Sequence, residues 1–221
     1  SANTWNSAFW YWKSEEDQPF FPQMSIKPQE LNYFNVSRGF LSSQKLNIEN
    51  SGKDLLKGSI VAFDKCIDVK VSSFSIEPQK SIEVEVILNP DLIEKAGNWE
   101  SKLKITSNDP NQKEVIIPTK AYLAPPKLVM DTEVLDFGRI SLGKTPEMQL
   151  QFTNDGGENL EVNLGTIHTA ITLSEIDFIV KPRDSKSIIV RLDSNQIKEY
   201  GDFSSQLSIE SNDPDNSRFR I

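Results

Sequence analysis

The sequence has few of the residues from which catalytic and metal sites are usually built. It contains one histidine, His168, and one cysteine, Cys66, in 221 residues. A single cysteine excludes an intramolecular disulfide, so the chain is not a stapled miniprotein. One histidine cannot form a histidine-based metal site, and His168 is read as a surface or strand-edge residue. No glycine-rich phosphate loop and no Ser, His, Asp arrangement can be drawn. The chain is therefore expected to be non-enzymatic and to carry no cofactor.

Long apolar runs are also missing. No stretch of about 18 apolar residues occurs, which excludes a membrane-spanning helix. No two Lys or Arg residues are adjacent, and the net charge of −8 with a pI near 4.8 opposes nucleic acid or an anionic membrane as partner. Hydrophobic content of 37%, charged content of 25% and a mean hydropathy of −0.43 describe an ordinary water-soluble globular protein. The opening "SANTWNSAFWYWK" lacks a basic n-region and a long apolar h-region, so it does not read as an intact signal peptide. The chain starts without Met and stops at Ile221 within an apparent strand. It reads as a fragment of a larger protein whose last strand is cut short, leaving an open sheet edge, with a lean towards an envelope or extracytoplasmic location.

What the sequence does have is an internal repeat. "SNDP" occurs at 107–110 and again at 211–214, 104 positions later. The same shift aligns residues 31–117 with 135–221 without a gap. Gly39 meets Gly143, "NSG" at 50–52 meets "NDG" at 154–156, Phe74 meets Phe178, and Gly97 meets Gly201. Leu103 and Ile105, like Leu207 and Ile209, alternate with polar residues ahead of each SNDP, as in a half-buried strand. Asn and Asp then offer acceptors to turn backbone, and Pro forbids the strand to continue. About seven short strands per roughly 100 residues, without a convincing amphipathic helix, predict an all-β chain of two tandem immunoglobulin-like antiparallel β-sandwiches. The expected organisation is an aromatic arm over 1–23, sandwich one over 24–123, a Pro-rich linker at 124–127, and sandwich two over 128–221. Pro125 and Pro126 favour an extended, semi-rigid connection.

The strings "LDFGRISLGKTPEMQLQFTNDGGENLEV", "PRDSKSIIVRL" and "GDFSSQLSIESNDP" resemble the ASH and choice-of-anchor D type of immunoglobulin-like domain, relatives of the PapD and major sperm protein sandwiches. In the first copy "LNYFNVSRG" stands where "LDFGRISLG" stands in the second, so Phe34 replaces Gly138. The resemblance implies an interaction or architectural module without enzymatic activity.

Candidate binding residues are sparse. Trp5, Phe9 and Trp12 fall at helical spacing, with Trp10 adjoining and the acidic "SEED" following. This arm folds back on the first sandwich, forms the tail of a preceding domain, or docks into a protein partner. Membrane anchoring through it is opposed by Glu15, Glu16 and Asp17, against which Lys13 is the single basic residue. Asp193, Asp213 and Asp215 are oxygen donors of the kind calcium takes, but EF-hand spacing is absent and solvated turns explain them better. Asn35-Val36-Ser37 is a glycosylation sequon of consequence only in a eukaryotic secretory protein. The leading expectation is a module that spaces or docks parts of a larger protein, with a protein or neighbouring domains as partner. The alternative is a carbohydrate-binding or adhesive surface with Trp99 as the stacking residue, although its repeat partner Phe203 favours core packing at both positions. A third possibility is pairing of an exposed sheet edge with an incoming strand.

Overall fold

A computed structural model describes residues 20–198 and 200–221. The aromatic residues Trp5, Phe9, Trp10 and Trp12 lie outside the described residues. The first half forms β1 (Met24–Lys27), β2 (Leu31–Val36), β3 (Ser42–Asn50), β4 (Leu56–Ala62), β5 (Ile67–Val69), β6 (Ser73–Ile76), β7 (Lys80–Leu88), β8 (Gly97–Ser107) and β9 (Glu114–Leu123). Two sheets, ordered β1-β3-β7-β5 and β2-β9-β8-β4-β6, face each other. The second half forms β10 (Leu128–Met130), β11 (Glu147–Asn154), β12 (Leu160–Thr166), β13 (Ile171–Leu173), β14 (Asp177–Val180), β15 (Ser185–Leu192), β16 (Leu207–Ser211) and β17 (Arg218–Arg220). Their sheets are ordered β10-β11-β15-β13 and β14-β12-β16-β17.

Alternation along the strands builds each core. In the first sandwich Leu46, Ile48, Val84 and Val86 from one sheet meet Leu103, Ile105, Ile117 and Leu123 from the other, all buried. In the second, Leu150, Phe152 and Ile188 meet Leu160, Val162 and Ile209, with Phe152 and Phe178 edge to face at 5.2 Å.

The described strands, nine and eight, exceed the expected seven per sandwich. Pro28 has no N–H to give, so β1 ends and the chain crosses to the opposite sheet as β2. After that crossing β2 runs parallel to β9, Leu31 opposite Thr119 and Val36 opposite Leu123, whereas the other described pairs are antiparallel.

The β2–β9 register shifts between Asn32 and Asn35. Inside that bulge Phe34 sits at φ +53, and Gly138 at the matching place has φ +63. Asn32 Oδ1 accepts the Phe34 N–H at 2.9 Å, as Asp136 Oδ1 accepts that of Gly138 at 2.8 Å. Phe34 is 70% exposed, so little packing offsets the left-handed backbone. Phe34→Gly is expected to raise stability by about 0.5–1 kcal/mol, after allowance for the freer unfolded chain. Urea denaturation checks this, and a fall in the midpoint would contradict it.

Candidate functional site: the joint between the sandwiches and a cavity of the second

The two SNDP loops are built as structure. Asn108 Oδ1 accepts the Lys57 N–H at 2.8 Å, and its Nδ2 donates to the Leu55 carbonyl. Asp109 Oδ2 accepts the Met24 N–H at 2.7 Å, while Oδ1 accepts that of Asn111. In the second sandwich Asn212 bonds Glu161 and Asn159 in the same way. Asp213 Oδ2 accepts the Leu128 N–H at 2.8 Å, and Oδ1 accepts that of Asp215. Every partner is displaced by the same 104 positions. The loop therefore ties the first strand of each sandwich to the end of β8 or β16.

These bonds place the calcium candidates. Asp213 is 1% exposed and its carboxylate faces backbone N–H groups, Asp193 accepts from Asn195 at the start of a 3-10 turn, and Asp215 is exposed. Among the described residues no three His, Cys, Asp or Glu side chains group so as to hold a metal ion. No described helix is long and apolar enough to cross a membrane.

His168 and Cys66 also have local structural partners. Asp64 Oδ1 accepts the Cys66 N–H at 2.8 Å, and His168 Nδ1, at the repeat position, accepts that of Ala170 at 3.0 Å. Trp99 is half-buried against the first core, and its counterpart Phe203 stands edge-on to His168 at 5.0 Å. Burial, with the charge and hydrogen bond of Asp64 added, pushes the Cys66 thiol up to about 12, so it offers no thiolate near neutral pH.

Arg38 and Glu158 went unnoticed in the sequence, yet they join the sandwiches. Arg38 lies between β2 and β3, and its guanidinium takes the Glu158 carboxylate bidentately through Nε and Nη2, the latter at 2.7 Å. Its remaining N–H groups donate to the carbonyls of Pro90, Asp91 and Ile93 at 3.2, 3.0 and 2.8 Å. The hydrogen bond to the Glu158 carboxylate raises the Arg38 pKa further against a smaller opposing effect of burial. Beside this pair the Arg38 N–H donates to the Gly157 carbonyl at 2.8 Å, and Arg183 lies over the Phe40 ring at 5.3 Å. A Cβ on Gly157 would lie 2.8 Å from the Val36 carbonyl oxygen, and one on Gly156 would strike the Pro125 carbonyl oxygen. The paired glycines let the 155–158 turn close onto the linker.

A second feature lies at the far side of sandwich two. Residues 135–140 correspond to β2 and 201–205 to the start of β8, yet neither segment is a strand. They border a cavity of about 1040 Å³, floored by Val190, Leu192 and Leu207. Leu135 and Phe137 are half-buried on its wall, whereas their counterparts Leu31 and Tyr33 are 0% and 4% exposed.

Sequence comparison bears on this second sandwich. Residues 126–221 match the HYDIN/CFA65/VesB-like Ig-like domain. That match spans the second linker proline, the turn that receives Arg38, and both segments that border the cavity. The immunoglobulin-like sandwich expected from the strand pattern is thus present over residues 126–221. No curated protein matches the chain in sequence. Solved structures similar to it include a protein of unknown function from Porphyromonas gingivalis W83, at 18% identity and TM-score 0.40, covering 90% of this chain and 96% of that one. An ASH/PapD-like domain of human CEP192 is similar over 45% of this chain and 83% of its own, at 12% identity and TM-score 0.39. The E. coli chaperone DraB is similar over 91% of this chain and 98% of its own, at 10% identity and TM-score 0.37.

Proposed function

We propose that the chain is a non-enzymatic tandem immunoglobulin-like module that holds parts of a larger protein at a set spacing through protein contacts. The observation that carries this reading is the Arg38 joint. One guanidinium engages a carboxylate of the second sandwich and three carbonyls of the first, with a backbone hydrogen bond and an Arg183–Phe40 contact beside it. A freely jointed pair of domains has no use for so many directional bonds at one point, because each costs the freedom of the groups it orders.

The test is Arg38→Ala, read by residual dipolar couplings that report the orientation of one sandwich relative to the other. The side chains of Arg38 and Glu158 are 19% and 18% exposed, so solvent screens the pair in part. The joint should weaken by about 1–3 kcal/mol while each sandwich stays folded. A common alignment tensor for both sandwiches in the native chain, separating into two in the variant, is the expected result. Two independent tensors already in the native chain would sink the fixed-spacing reading.

A further inference from the structure

The outward face of the β2-β9-β8-β4-β6 sheet is apolar where an outward face is usually polar. Its side chains alternate with those that build the first core. Val61, Lys104 and Ile116 stand opposite one another on β4, β8 and β9. The next row holds Phe63, Lys102 and Pro118, with Lys102 Nζ 4.7 Å from the centre of the Phe63 ring. Val61, Phe63 and Ile116 are all exposed. The opposite sheet of the same sandwich turns Lys45, Asn47, Glu49, Glu83 and Glu85 outward instead. The repeat shows that the fold does not require an apolar face here. At the positions 104 residues on, Lys57, Val61, Lys104 and Ile116 become Glu161, Gly165, Ser208 and Arg220. One copy therefore keeps a lysine-edged apolar surface that the other does without, and a continuous exposed surface of this kind marks a contact site.

From this surface we infer that its occupant is the aromatic arm of the same chain, residues 1–19, docked along the face. The root of the arm sets the approach. The Phe21 carbonyl accepts the Lys53 N–H at 3.2 Å, and the Met24 N–H reaches Asp109 in the loop between β8 and β9. Lys57 opens the face at this same end, its N–H bonded to Asn108 of that loop. Reach is sufficient: residues 1–19 span about 60 Å when extended, against about 35 Å for the eleven residues of β8. The order of chemistry along the arm matches the order along the face. Counting back from Phe20, Asp17, Glu16 and Glu15 come first and meet Lys57 and Lys104 near the root. Lys104 already holds Glu114 at 2.6 Å, which leaves Lys57 as the principal charge partner. Trp12, Phe9 and Trp5 follow and cover Ile116, Val61 and Phe63 further along. The contact goes beyond the spacing function and does not depend on it.

The test uses the intact 221-residue chain carrying Trp99→Phe, the residue that the repeat has at 203, so that the remaining tryptophans, Trp5, Trp10 and Trp12, all report from the arm. Acrylamide quenching of their fluorescence measures how far they are shielded. The expected result is shielding well above that of the urea-unfolded chain. Ile116→Arg, which copies Arg220, should lower the ratio of docked to undocked arm about tenfold and raise quenching accordingly. A charge exchange gives a second, independent reading: Glu16→Lys should weaken docking about two- to threefold, and Lys57→Glu in the same chain should restore it. A general loss of folding produces no such rescue. Arm tryptophans quenched as freely in the native chain as in urea, shielding that Ile116→Arg leaves unchanged, or no rescue by Lys57→Glu would each overturn the proposal. Shielding that rises with chain concentration would overturn it too, since the arm would then lie on a second copy. The dipolar couplings across the Arg38 joint read a different contact, so failure here is separable from failure of the spacing function.

Discussion

Asn154→Ala should lower the stability of the second sandwich by about 3–5 kcal/mol, among the largest effects of any single substitution in the chain. Asn154 is 0% exposed and meets four backbone groups. Its Nδ2 donates to the carbonyls of Glu158 and Val180 at 2.8 and 2.9 Å. Its Oδ1 accepts the N–H groups of Gly156 and Lys127 at 3.0 and 3.3 Å. Alanine fills none of these positions and leaves buried donors and acceptors unpaired, each at the cost of its lost hydration. The damage would extend beyond one turn, because the four partners lie on the linker, on the 155–158 turn and at the end of β14. Hydrogen exchange followed by mass spectrometry under increasing urea localises the loss to residues 126–221. Asn50→Ala provides the parallel measurement in the first sandwich, where Asn50 bonds Asp54, Ile76, Gly52 and Gln23 in the same pattern. A loss below about 1 kcal/mol at Asn154 would mean that water or relaxed backbone replaces the side chain.

Part of this architecture can be read directly from the residues. Leu103 with Ile105 and Leu207 with Ile209 alternate as half-buried strands must, and those residues do lie in the cores. The side-chain role of Asn50 and Asn154 is harder to see. "NSG" and "NDG" announce turns, but a turn signal is local, and the bonds that bury each asparagine reach residues 26 and 27 positions away. Nothing in a one-dimensional pattern says that a polar side chain will be enclosed by strands it never adjoins.

The joint left a fainter trace. Arg38 stands where the repeat has Leu142, and Glu158 where it has Asp54, so the two residues that connect the sandwiches are among those that depart from the alignment. A difference between two copies marks work that one copy does and the other does not, yet the sequence cannot show that the two departures meet.

The second large effect is expected at the end of β16, where Asp213→Ala should cost the second sandwich about 2–4 kcal/mol at neutral pH. The carboxylate is buried, and it receives the N–H of Leu128 at 2.8 Å, that of Asp215 at 2.8 Å and the Asn216 Nδ2 at 3.1 Å. Removing it strands the Leu128 N–H inside the sandwich and frees β10 from the 211–216 loop. Burial alone disfavours the charged form, but the donors from Leu128, Asn216 and Asp215 outweigh it and hold Asp213 below the ordinary carboxylate range. A depressed folded-state value means that the unfolded chain takes up this proton first as pH falls. The stabilisation is then fully present above the unfolded value of about 4 and disappears as pH drops through the lower folded value. Urea midpoints measured by exchange at pH 7 and again near pH 3 should therefore converge for native chain and Asp213→Ala in the acid. Curves that stay equally far apart at both pH values would show that Asp213 acts through its shape and not through its charge.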